Sequence, residues 1–134
     1  MLKTLRFVSL FFHLYTKTLH IFKKAHKINS FKKERNFFMN SINVQDFQLL
    51  LNQSIAILDI RDASAFSEGH LPDAISMPTT SLPNRLNELD ENTTYYVLSH
   101  SGRRSDIIAQ FLNNHGYKAI HVIGGMKALR KEAA

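Results

Sequence analysis

Seven consecutive residues, Ser99, His100, Ser101, Gly102, Arg103, Arg104 and Ser105, hold the side chains best suited to chemistry in this chain of 134 residues. They follow the apolar, β-branched run Thr94–Leu98 and precede a helical pattern. At such a junction successive backbone N–H groups can turn inward and form a concave nest for an anion. Gly102 permits the turn, since it lacks a Cβ. Arg103 and Arg104 bring positive charge to the same place, with a forked donor geometry that matches sulfate, phosphate or thiosulfate. Taken alone, the stretch equally describes an ordinary connection carrying two solvated arginines.

The chain contains no cysteine, which excludes disulfides, thiolate metal sites and cysteine nucleophiles together. Ser99 is the hydroxyl nearest the strand end, with His100 beside it as the obvious base. Neighbouring residues leaving a strand point in opposite directions, and a nucleophilic serine needs an oriented base with its own partner. Ser99 is therefore expected to be a small polar loop residue. The seven histidines are scattered without a His/Asp/Glu cluster at ligand spacing, so no metal and no cofactor are expected.

The elements that would position this loop alternate. Asn43 can cap a short helix through Leu51, with Asp46 in its first turn and Phe47, Leu50 and Leu51 on its inner side. Ile55–Ile60 is an apolar run of the kind covered on both faces in a parallel sheet. A two-turn helix near Ala63–Glu68 closes at Gly69. Ala74–Met77 is a short strand stopped by Pro78, and a helix from about Leu82 to Leu89 follows, capped by Ser81 or Thr80 with Pro83 in its first turn. Thr94–Leu98 is a strand, Ser99–Arg104 a loop, and Ser105–His115 a helix with Ile108, Phe111 and Leu112 on one face and Gly116 as its stop. A last strand, Ala119–Ile123, leads through two glycines into a terminal helix near Met126–Lys131. Strands alternating with helices at short connections predict an α/β domain, a mostly parallel sheet with helices on both faces. Ligands of such sheets bind beyond the carboxyl ends of the strands, which is where residues 99–105 fall.

The formal charge of +6 is unevenly distributed. Residues 1–38 hold nine Lys/Arg against the single acid Glu34, whereas residues 39–134 hold eight against ten. The basic character belongs to a Phe-rich leader, expected to be a disordered segment or an over-extended translation start, and residues 39–134 form the domain. Leu5–Phe22 is interrupted by His13, Lys17 and His20 and falls short of the roughly 18–20 clean apolar residues of a membrane span. Contact of the leader with a membrane surface is the lesser alternative, no nucleic-acid binding is expected of the domain, and the protein is expected in the cytoplasm.

Three stretches carry a family resemblance across about residues 41–131. Residues 57–78, ILDIRDASAFSEGHLPDAISMP, resemble the first signature of rhodanese-like domains: Asp-x-Arg at a strand end, then Glu-Gly-His-aliphatic-Pro. SHSGRRS resembles the rhodanese active loop, usually Cys-x-Ser-Gly-x-Arg-Ser, and residues 122–129, VIGGMKAL, resemble the closing Gly-Gly signature. The resemblance implies a rhodanese-like fold. It places Ser99 where the family has its persulfide-forming cysteine, and it matches Arg104 and Ser105 to the Arg-Ser end of the loop. Ser99–Arg104 is six residues long, the rhodanese length. Asp73 stands where a Gly is usual, and Leu129 where a Trp is usual. His70 is implied to be a hydrogen-bonded brace of the neighbouring loops. Asp59 and Arg61 are implied to form an internal salt bridge, with Arg61 a secondary contributor to the positive rim of the loop.

In the family reaction a cysteine thiolate accepts sulfur and carries it as a persulfide. A hydroxyl has a far higher pKa and forms no reversible S–S linkage. The expectation is a non-catalytic module that binds a small oxyanion (thiosulfate, sulfate or phosphate) or a protein partner through residues 99–105. The alternative is a sulfurtransferase-related enzyme with residual or partner-assisted activity.

Overall fold

The structure is a computed structural model that describes residues 40–134. The expectations for residues 1–38 lie outside the described residues. Five parallel strands form one sheet in the order β1-β5-β4-β2-β3. They are β1 (Ser41–Ile42), β2 (Ala56–Asp59), β3 (Ile75–Ser76), β4 (Thr94–Leu98) and β5 (Lys118–Val122). The helices are α1 (Val44–Leu50), α2 (Ala63–Glu68), α3 (Arg103–Asn114) and α4 (Gly125–Glu132).

Because side chains alternate along a strand, each central strand feeds both faces. Leu58, Val97 and Ala119 join Ala109 and Leu112 of α3 on one side. Ile57, Leu98 and Val122 join Val44 and Phe47 of α1 and Met126 and Leu129 of α4 on the other. Leu129 is buried there, filling with a smaller side chain the position where the family usually has Trp. Asn43 caps α1 as its type and place suggest, its Oδ1 accepting the Asp46 N–H at 2.7 Å.

Three segments differ from the sequence-based expectations. β1 had no counterpart among them, since two residues are too few to show alternation. It exists through pairing with β5, where His121 N–H donates to Asn40 O at 2.8 Å and Ile123 N–H to Ile42 O at 2.9 Å. The helix expected over Leu82–Leu89 is two single 3₁₀ turns, Leu82–Asn84 and Leu86–Glu88. Its backbone closes by i→i+3 bonds, and Arg85 between the turns is tied sideways to Ser76 O at 3.0 Å and to Glu88 at 2.7 Å. So short a segment gains too few i→i+4 bonds to offset α-helix nucleation. Finally, α3 begins at Arg103, so Arg103 and Arg104 belong to its first turn rather than to the loop.

Asp73 has a positive φ of 57°, the only non-glycine residue to do so among the described residues. A left-handed backbone favours Gly, which accounts physically for the glycine usual at this place.

Candidate functional site

Sheet register sets the position of the loop. Leu98 lies opposite Asp59 at the carboxyl ends of two central strands, and Ile60 N–H donates to Leu98 O at 2.9 Å. Ser99 is the next residue, at 2% exposure.

The start of α4 grips this loop. Met126 N–H donates to Ser99 O at 2.8 Å and Lys127 N–H to His100 O at 2.9 Å, using donors that a helix start leaves without intrahelical partners. The approach requires glycine, because a Cβ on Gly125 would stand 2.3 Å from Ser99 O and 2.8 Å from His100 O. Gly102, at φ 90°, is equally constrained: its Cβ would lie 2.7 Å from Gly124 N. The Gly-Gly signature and the loop signature are thus two halves of one contact.

Inside the loop, Ser99 Oγ accepts the N–H of Gly102 at 3.0 Å and that of Ser105 at 3.3 Å. It donates to Ser105 Oγ at 3.1 Å. A hydroxyl has one proton and two lone pairs, and all three are used within the loop. The oxygen is aimed at its own backbone, and His100, exposed on the next residue, is not its partner.

The residue behind the pair of serines is His121 on β5, which sequence reasoning passed over. Its Nδ1 lies 2.9 Å from Ser105 Oγ, and Ser105 Oγ also lies 3.0 Å from Gly102 O. His121 is half-buried, and desolvation pushes its pKa below the ordinary 6.5, with the charge of Asp106 on α3 opposing. A signal existed: Ala119 and His121 share one strand face, and Ala119 packs in the core against α3. A histidine on that face must find a polar partner under the helix.

His100, Ser101, Arg103 and Arg104 are exposed. Their backbone N–H groups have no partner among the described residues, and neither guanidinium forms an ion pair there. These four residues, two of them cations, form the exposed side of the loop, while Ser99, Gly102 and Ser105 are its buried side.

Two expectations need correction. Arg61 does not contribute to a positive rim: it is 3% exposed, and its Nε and Nη2 grip Asp59, at 2.7 Å for the shortest contact. Its Nη2 also donates to Gly69 O at 2.8 Å, so the charge is spent in bracing β2 against the end of α2. His70 does not reach a neighbouring loop. It lies exposed, stacked on Phe66 at 3.9 Å, with Nδ1 2.9 Å from Phe66 O, a carbonyl at the helix end that also accepts the Gly69 N–H at 3.2 Å. Among the described residues no group of three or more His, Asp or Glu is placed to hold a metal. No helix among them is long and apolar enough to cross a membrane.

Comparison with known proteins agrees with this geometry. The model of the rhodanese-like domain matches residues 43–132. YrkF of Bacillus subtilis, whose name proposes a sulfur carrier protein, is 36% identical over 77 residues, 57% of this chain but only 42% of YrkF. Thiosulfate sulfurtransferase GlpE of Tolumonas auensis is 29% identical over 85 residues, covering 63% of this chain and 80% of GlpE. Among solved structures, a rhodanese-like domain protein of Staphylococcus aureus superposes with a TM-score of 0.65 at 31% identity, over 68% of this chain and 91% of that one. With its parallel five-stranded sheet, its loop at the end of β4 and its Gly-Gly contact, the chain belongs to the rhodanese-like domain family, and carries serine at the cysteine's place in the loop.

Proposed function

We propose that this domain is a non-catalytic member of its family that binds a small oxyanion, or an anionic group on a protein partner, on the outer surface of the Ser99–Ser105 loop. The observation that carries this reading is the closed shell of Ser99 Oγ: two amide donors and one hydroxyl acceptor occupy every direction open to it. Such an oxygen neither forms a persulfide nor presents a free lone pair to a substrate. The amides of His100, Ser101, Arg103 and Arg104, with the Arg103 and Arg104 guanidiniums, supply donors of the kind that hold sulfate, thiosulfate or phosphate. Titration with thiosulfate and with sulfate, followed at the amide signals of Ser101, Arg103 and Arg104, tests the reading. Saturable shifts that vanish in Arg103→Ala/Arg104→Ala support it; no saturable shift at millimolar anion overturns it.

The names of the relatives favour a second reading, sulfur transfer; with no cysteine in this chain, a partner protein would supply the thiol. Thiocyanate formation from thiosulfate and cyanide, with and without an added protein thiol, separates the two. Turnover only with the added thiol, and lost in Arg104→Ala, supports the second reading over the first.

A further inference from the structure

Ser105 Oγ carries one proton and faces two acceptors, Gly102 O at 3.0 Å and His121 Nδ1 at 2.9 Å. It also receives the Ser99 hydroxyl proton at 3.1 Å. The roles depend on the imidazole tautomer, a neutral ring protonated on Nδ1 already holding the same bonds as the imidazolium; with the neutral ring protonated on Nε2, counting protons gives two distinct arrangements. With His121 neutral and Nδ1 bare, Ser105 donates to His121. With His121 protonated, Nδ1–H donates into Ser105 Oγ, and the Ser105 proton turns to Gly102 O. In both, Ser99 Oγ keeps its three bonds.

We propose that His121 is a proton-operated clamp on the loop: proton uptake by its imidazole reverses the Ser105 hydroxyl from strand β5 to the carbonyl of Gly102. The inference is independent of whether the loop binds an anion. Its effect falls on the one residue where the loop turns, since Gly102 adopts φ 90° as the cap of α3 and its carbonyl already accepts the Asp106 N–H at 3.3 Å. The imidazole lies directly behind this turn, with Cε1 3.3 Å from where a Gly102 Cβ would be. Protonation therefore adds a second donor to the Gly102 carbonyl and places a positive charge behind the nest.

The surroundings leave His121 as the group that titrates here. From α3 it meets Asp106, whose charge favours the imidazolium, with the permanently charged Arg103 and Arg104 in the same first turn. On the sheet its neighbours are Val97 of β4 and Ser41 of β1, neither of which titrates. Desolvation outweighs Asp106, so the change is expected below the ordinary histidine range. His100, the histidine within the loop itself, is exposed and serves as the control.

The test is an NMR titration of the full chain between about pH 5 and pH 8, spanning the histidine range, without added anion beyond chloride. The expected result is that the Gly102 and Ser105 amide signals shift with the same midpoint as the His121 ring. His121→Gln abolishes the shift, and His100→Gln leaves it in place. In Ser105→Ala the ring still titrates while the Gly102 amide loses most of its response. A Gly102 amide that stays flat while the His121 ring titrates overturns the proposal, as does a response that survives His121→Gln. Should Ser105→Ala fail to fold, the comparison of the two histidine variants decides alone.

Discussion

Ser99 and Ser105 face one another across the loop with their hydroxyl oxygens 3.1 Å apart, both almost fully withdrawn from solvent. The loop closes on itself through this pair. Gly102 N–H and Ser105 N–H converge on Ser99 Oγ, an arrangement that stabilises negative charge at that point and that a thiolate would use fully. In this chain the same donors satisfy a neutral hydroxyl.

The grip of α4 on the loop predicts a large penalty at one glycine. Gly125→Ala places a methyl 2.3 Å from Ser99 O, a backbone atom that cannot turn away, at a φ of 58°. Destabilisation of about 2–4 kcal/mol is expected from such overpacking and strain. Gly116→Ala, also left-handed but with open space around its Cβ, is expected to cost about 1 kcal/mol, the strain alone. Urea unfolding of both variants checks the ranking.

The buried Asp59–Arg61 pair predicts an asymmetry. Asp59→Ala leaves the Arg61 guanidinium, 3% exposed, with only Gly69 O as partner, and a loss of about 3–5 kcal/mol is expected. Replacing both residues with apolar ones should cost less than removing Asp59 alone, because no buried charge is then stranded. A double-mutant cycle in urea measures this; equal costs would show that the pair acts only by filling space.

A pH dependence follows from His121. Its folded-state pKa lies below the unfolded value near 6.5, so the native protein binds fewer protons than the unfolded chain in that window. Stability from this group is complete above pH 6.5 and falls as pH drops through the lowered folded-state value. His121→Gln should flatten the acid side of the stability profile in that range. A profile unchanged by the substitution would mean that His121 has no part in it.

Much of this domain was legible in its sequence, for identifiable reasons. Long strands and helices announce themselves by period, so β4 and α3 were found within two residues of their ends. The alternation of short elements implied the parallel sheet, and three ordered motifs implied the family. The failures were of two kinds. β1 and the 3₁₀ turns at Leu82–Glu88 are held by bonds to β5 and to Ser76, which local propensity does not encode. Arg61, His70 and His121 carry no label of direction in the sequence. Arg61 reads as the internal ion-pair partner of Asp59, but that the pair withdraws it wholly from the positive rim shows only in the packed structure, and His121 reads as a scattered histidine until α3 is laid over β5. Asp73 lay between these cases: it stood out against the family pattern, and its positive φ explains why.

The thiosulfate–cyanide assay on the full chain beside Ser99→Cys asks whether the sulfur carrier is what this loop lacks. In the variant a thiol at residue 99 inherits the Gly102 and Ser105 amides, which should lower its pKa below the ordinary value of about 8.5. The native protein is predicted to form no thiocyanate above buffer. The variant is predicted to gain a persulfide visible by mass spectrometry, together with turnover. Turnover by the native protein that is lost in Arg104→Ala would contradict the non-catalytic reading outright.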